Sequence, residues 1–303
     1  MDAIPDSFSL AEGENCDILS VWKGGGSVKR TLKKEQKQII LGAVALVVGL
    51  ILLVILGTAA LPEPAEPPEE TVPETTGGPE ANPYGPLDFQ YDGRYLQCLA
   101  GPSRLGVDVS AYQGQIDWEQ VRQAGVEFAM IRVGYRGYET GKINPDELAQ
   151  ANLEGAAAAG LDVGVYFYSQ AVTPEEAIAE ADFVLEFLAG RELTMPVVFD
   201  WEYVSPEART GAVGKELLTQ LTDIFCQRIQ AGGYEPMIYF NQNQGEYLLE
   251  LEELPYPYWL AMYSDRMTYP YRLQMWQYTS EGVVPGIETF VDLNLHFPDR
   301  DTE

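Results

Sequence analysis

The chain has 303 residues and a net charge of −27, from 46 acidic and 19 basic side chains. So acidic a surface excludes nucleic-acid binding, which needs a basic footprint, and tight adhesion to anionic lipid. Three cysteines without a C-x-x-C pair and one histidine, His296, supply no zinc or thioredoxin-like pattern. Neither a metal nor a cofactor is therefore expected. Cys98 and Cys226 read as isolated thiols, with a disulfide between them the alternative in an oxidising compartment, and His296 reads as a structural residue.

Residues 1–38 balance six acids against six bases and hold no readable motif. Residues 39–61, IILGAVALVVGLILLVILGTAAL, carry no charge. That length is enough to span a hydrocarbon core of ~30 Å as a helix. A cleaved signal peptide would have a shorter apolar region, although Gly57-Thr58-Ala59-Ala60 resembles a cleavage site. Lys23, Lys29, Arg30, Lys33, Lys34 and Lys37 precede the span, and Glu63, Glu66, Glu69 and Glu70 follow it. The positive-inside rule then places the N-terminus in the cytoplasm and the C-terminal bulk outside a single-pass cell membrane. Gly42 and Gly49 make no close-packing pair, and nothing in the chain specifies an oligomeric state. Residues 62–95 are rich in proline, glutamate and threonine, which predicts an extended, self-repelling linker.

The texture changes at 96, where a domain running to 303 is expected. Short apolar runs predict strands at 105–109, 127–133, 161–167, 195–200 and 235–240. Helical patterns lie between them at 117–124, 144–159, 173–189 and 211–232. This alternation implies a parallel sheet with right-handed crossovers. Three more strands follow at 257–261, 273–278 and 288–292, too close together for helical crossovers. The fold class expected is α/β, a modified TIM-like barrel of five β/α units and three further strands.

Functional residues of β/α barrels gather at the C-terminal ends of the strands. Applied to these strands, the rule selects Asp108; Tyr166 and Tyr168; Asp200 and Glu202; Tyr239 and Asn241; Trp259 and Tyr263; Trp276, Gln277 and Tyr278; and Asp292 with Asn294. Asp200 and Glu202 sit at i and i+2, on one face of their strand. Carboxyls that close cannot both ionise freely, so one is expected to keep its proton near neutral pH, as a glycosidic proton donor must. Carboxylates ringed by aromatics suit a carbohydrate: sugar faces stack on the rings while acids bind hydroxyls and move protons.

The motifs Asp108-Val-Ser-Ala-Tyr-Gln-Gly114 with Ile116-Asp117-Trp118, Val198-Phe-Asp-Trp-Glu202, Trp259-Leu-Ala261 with Tyr263, Met275-Trp-Gln-Tyr-Thr-Ser-Glu-Gly282, and Pro285-Gly-Ile with Val291-Asp-Leu-Asn294 resemble those of the glycoside hydrolase family 25 lysozymes (N-acetylmuramidases), in the same order. The resemblance covers about 103–297. It implies a modified barrel of five β/α units and three strands. It also implies hydrolysis of the β-1,4 bond between N-acetylmuramic acid and N-acetylglucosamine in bacterial peptidoglycan. Carried over by position, Glu202 is the general acid/base, Asp200 its neighbour, and Asp108 and Asp292 the other active-site carboxylates. Tyr166, Tyr239, Trp259, Tyr263 and Gln277 are the candidate substrate contacts. Two mechanisms stay open: attack by an enzyme aspartate, or by the substrate's own 2-acetamido group with Asp200 orienting it. The D-x-E spacing favours the second, and both retain configuration. With a membrane anchor instead of wall-binding repeats, local remodelling of the producing cell's wall is expected. The alternatives are a non-catalytic, membrane-tethered wall-binding scaffold and a glycosidase of chitinase-like specificity. The chitinase pattern has further aspartates ahead of the acid pair, where this chain has Val197, Val198 and Phe199.

Overall fold

A computed structural model describes residues 79–298. The expected cytoplasmic segment, the span at 39–61 and residues 62–78 of the expected linker lie outside them. Among the described residues no helix is long and apolar enough to cross a membrane.

Eight strands close into a barrel: β3 (Arg104–Val109), β4 (Phe128–Arg136), β6 (Asp162–Ser169), β7 (Val197–Trp201), β8 (Pro236–Asn241), β9 (Tyr258–Ala261), β10 (Met275–Gly282) and β11 (Val291–His296). The pairing runs β3-β11-β10-β9-β8-β7-β6-β4 and returns from β4 to β3. Neighbours from β3 through β10 are parallel, whereas β11 is antiparallel to both β10 and β3. The helices are α1 (Trp118–Gln123), α2 (Ala149–Ala158), α3 (Pro174–Leu188), α4 (Lys215–Ala231) and the short α5 (Gln242–Tyr247).

The alternation of strand side chains divides the core into two layers. Phe128, Met130, Tyr166, Met195, Val198, Met237, Tyr239, Trp259 and Met275 fill the barrel interior. Val107, Ile131, Val165, Phe167, Phe199, Trp201, Ile238, Phe240 and Leu260 face outward into the helical layer. The interior packs tightly enough to require glycine at Gly106, where a Cβ would lie 2.1 Å from the Phe128 ring. These methionines and Phe128 plug the lower barrel, so only the upper rim is left for chemistry.

Three expectations are corrected. The expected eighth strand, 288–292, is instead Val291–His296, so Asp292 stands near its start. Because β11 runs backwards, its start meets the end of β3, and Asp292 pairs with Asp108 in the ladder. A strand that starts later and runs antiparallel thus brings Asp292 to the same rim as Asp108. Secondly, the linker expected to reach residue 95 ends earlier. Glu80 and Arg272 are joined by backbone and side chain, Ala81 bridges Tyr271, and β1 (Phe89–Asp92) and β2 (Tyr95–Cys98) form an antiparallel hairpin. Phe89 packs edge-on against Trp276 at 4.9 Å, and the Tyr84 ring lies tilted over Phe297 at 4.9 Å. These apolar residues are too widely spaced for a periodic pattern, yet they cover the outer faces of β10 and β11. Thirdly, the helix expected from 144 begins at Ala149. Pro145 holds Asn144 extended, and Ile143–Pro145 form β5, a short antiparallel partner of β4.

His296 pairs with Arg104 at the foot of the barrel, the end opposite Asp108. Cys226 is a buried free thiol on α4, so it is not joined to Cys98.

Candidate active site

Asp108, Asp200 and Asp292 lie on interior-facing positions at the upper ends of β3, β7 and β11, and Glu202 lies one residue beyond β7. Asp108 is only 6 % exposed. Its Oδ2 accepts two amide hydrogens, from Gln277 Nε2 at 2.9 Å and from Asn294 Nδ2 at 2.8 Å. The chain of donors behind it has a fixed direction. The indole of Trp259 can only donate, and it gives its Nε1–H to Asn294 Oδ1 at 2.8 Å. Asn294 must therefore turn its amino group to Asp108. Gln277 is set in the same way, because Tyr239 donates to its Oε1 at 2.9 Å and Tyr263 at 3.2 Å.

Burial raises the pKa of Asp108 to about 6 against the pull of those two amides. Burial, opposed by a hydrogen bond from Tyr168 and assisted by the charge of Asp108, raises Glu202 to about 7. Asp200 lies well above the ordinary carboxylate range through burial and the charges of Glu202 and Asp108, with Arg132 opposing. Asp292 lies well above it through burial and the charges of Asp108 and Glu202. Four acids share one low-dielectric rim and titrate as a group, so the site retains protons at neutral pH. Asp200 Oδ1 is buried and has no hydrogen-bond partner among the described residues.

The five candidate substrate contacts all reach the rim or the floor beneath it, in three different positions. Tyr263 is 53 % exposed and stands at the rim. Tyr166, Tyr239 and Gln277 are largely buried beside the acids. Trp259 is 1 % exposed, its ring 4.9 Å from that of Tyr239 and 6.2 Å from that of Tyr166. It is floor: it orients Asn294 and offers no face to a sugar. Trp276 and Tyr278 leave the site altogether. They alternate with Gln277 and so face outward, where Trp276 donates to the Met262 carbonyl and Tyr278 accepts from Leu96 N–H. Asn241 caps α5, its Oδ1 accepting from Gln244 N.

Arg132 went unread in the sequence. It projects from β4 between Tyr112 and Tyr135, with ring centroids 5.6 and 5.3 Å from its guanidinium. It binds Asp146 Oδ2 through Nε and Nη2, both at 2.9 Å. Its charge is the one that opposes the rise at Asp200. The motif R-V-G-Y at 132–135 signalled only a strand; the partner Asp146, after a proline turn, was the missing clue.

The model for glycosyl hydrolases family 25 matches residues 107–287. The chain belongs to this family. It is thus a glycoside hydrolase, and the match takes in Asp108, Asp200 and Glu202 while ending before Asp292. Among similar proteins, the uncharacterized YegX of Escherichia coli K12 is 28 % identical over 207 residues, covering 63 % of this chain and 68 % of its own. Lysozyme M1 of Streptomyces globisporus is 27 % identical over 202 residues, covering 62 % and 66 %. The autolysin LytC of Streptococcus pneumoniae, solved in complex with a synthetic peptidoglycan ligand, superposes with a TM-score of 0.57 at 23 % identity over 64 % of this chain. This chain spans about half of LytC, 47 % of its length. The lysozyme of Streptomyces coelicolor gives 0.53 at 24 % identity, covering 66 % of this chain and 94 % of its own. At such identities these two likenesses speak to the fold alone.

Proposed function

We propose that the domain hydrolyses the β-1,4 bond between N-acetylmuramic acid and N-acetylglucosamine in bacterial peptidoglycan, with retention of configuration. The observation that carries this reading is the pair at the end of β7. Glu202 has a pKa raised to about 7 by burial, so it holds a proton to give. Beside it, Asp200 presents a buried oxygen with no partner among the described residues, ready to accept an N–H. In this mechanism Glu202 protonates the glycosidic oxygen while the carbonyl oxygen of the 2-acetamido group attacks C1. Burial and its acidic neighbours hold the Asp200 pKa up and Arg132 opposes them; with the shared proton on Glu202, Asp200 is the ionised member of the pair, accepts the acetamido N–H and stabilises the positive charge that builds on that nitrogen. Glu202, now a carboxylate, takes a proton from the water that attacks C1, opens the ring intermediate and restores the original configuration. Asp108 and Asp292 line the opposite side of the rim and bind the sugar. The family match and the likeness to Lysozyme M1 support this substrate class.

We also propose that residues 39–61 anchor the chain in a cell membrane with the barrel outside, so that the enzyme acts on the wall of the cell that makes it. Solubilisation of purified sacculi tests the first proposal. Wild type should clear them and Glu202→Gln should bind without clearing; clearing by Glu202→Gln at near wild-type rate would remove Glu202 from the chemistry. Fractionation tests the second: a domain found wholly in the medium, with no membrane-bound pool, would contradict it.

A further inference from the structure

Glu202 stands one residue past the end of β7, where the sheet no longer holds the backbone. The ladder to β6 stops at Ser169 and Trp201, and the ladder to β8 stops at Asp200 and Tyr239. The carbonyls of Trp201 and Glu202 therefore lack strand partners, and at an ordinary strand end water would take them. Here two buried glutamines take them instead. Gln170, which follows β6, donates its Nε2–H to the Glu202 carbonyl at 2.6 Å. Gln244, which follows β8, donates to the Trp201 carbonyl at 2.6 Å. Both side chains are buried, and both are themselves held. Gln170 Oε1 accepts from Thr210, and its main-chain carbonyl accepts from Arg209 Nη1 at 2.5 Å. Gln244 Oε1 accepts from Asn241 N at 3.0 Å. A third tie runs from Trp201 Nε1 to the Ala171 carbonyl at 2.9 Å.

We propose that Gln170 and Gln244 are positioning residues, a two-sided amide clamp that extends the sheet by one residue on each side of β7 and so fixes the backbone from which Glu202 delivers its proton. Neither side chain touches the substrate; both act through Glu202. The inference rests on the reading of Glu202 as the acid. A buried carbonyl stripped of its donor will turn towards another partner, and even a small rotation of the 201–202 peptides swings the Glu202 carboxyl at the end of its side chain. Displacements of about 1 Å at a reacting group are worth up to ~100-fold in rate.

The test uses the full chain with Gln170→Met and Gln244→Met, which keep side-chain size and remove the N–H. Sacculus hydrolysis is followed for kcat, KM and the pH dependence of kcat, with near-ultraviolet circular dichroism to count folded molecules. Each variant should lose ~10- to 100-fold in kcat per folded molecule, with KM within about twofold, because only the chemical step is misaligned. The high-pH limb of kcat, set by Glu202, should move as the carboxyl changes its surroundings. Folded variants with wild-type kcat and an unmoved limb would overturn the clamp and leave the glutamines a purely structural role. The two positions are independent, so if Gln244→Met also loses α5 and fails to fold, Gln170→Met decides. An active Glu202→Gln would refute the acid assignment itself. An inactive Glu202→Gln beside wild-type clamp variants would refute the clamp alone.

Discussion

Replacing Asp108 by asparagine should cost activity and stabilise the fold, by an amount that depends on pH. Asp108 is buried and its pKa rises from 3.8 to about 6. Between pH ~4 and ~6 the folded state therefore binds more protons than the unfolded one, and the unfolding free energy falls as pH rises. Below that window the carboxyl is neutral in both states and has no effect. Above it the full penalty applies, about 3 kcal/mol at ~1.4 kcal/mol per pH unit. The Asp108→Asn amide can turn its oxygen to Gln277 and Asn294, so the two hydrogen bonds survive while the charge disappears. Asp108 also helps to raise Asp200, Glu202 and Asp292, so its removal relieves them too. A domain of this size gains ~2–4 °C per kcal/mol, so the variant should melt about 6–12 °C above wild type at pH 7.5. The two should converge near pH 4. Thermal melts at half-unit pH intervals read this directly. Parallel curves, or a variant less stable than wild type at pH 7.5, would refute the argument that burial of clustered charge strains this rim.

Turnover should decline above pH ~7 as Glu202 loses its proton, and Tyr168→Phe should carry that limb to higher pH, because the Tyr168 hydrogen bond lowers the Glu202 pKa; pH–rate profiles of the two proteins check it. Phe89→Ala should destabilise the domain by ~3 kcal/mol or more, since the ring is buried against Trp276 and Phe297, and its denaturant midpoint should fall while activity per folded molecule stays unchanged. Tyr239→Phe, which unhooks Gln277, should cost about 1 kcal/mol in stability and weaken turnover through the loss of order at Asp108, read from melts and initial rates.

Much of this architecture was legible because it depends on local periodicity. The i, i+2 rule placed Asp200 and Glu202 on one face, and strand-end logic found Asp108, Tyr239 and Gln277. What stayed hidden depends on partners far along the chain. Gln170 reaches the Glu202 carbonyl 32 residues away, and Gln244 the Trp201 carbonyl 43 residues away. Each sits in a stretch that reads as a polar loop or a cap. The reversal of β11 was equally invisible, since a six-residue strand reads alike in both directions. Trp259 looked like a stacking surface because composition cannot separate an aromatic that faces a ligand from one that supports the floor beneath. The hairpin at 89–98 has apolar residues too widely spaced to show a period, and its partners on the sheet, Trp276 and Tyr278, lie far along the chain.

The most direct test of the central claim is a digest of purified peptidoglycan by the wild-type chain beside Glu202→Gln, with the new reducing ends reduced and the fragments analysed by mass. Fragments ending in reduced N-acetylmuramic acid, absent with Glu202→Gln, are the predicted result. Fragments ending in reduced N-acetylglucosamine, or the same products from both proteins, would contradict it.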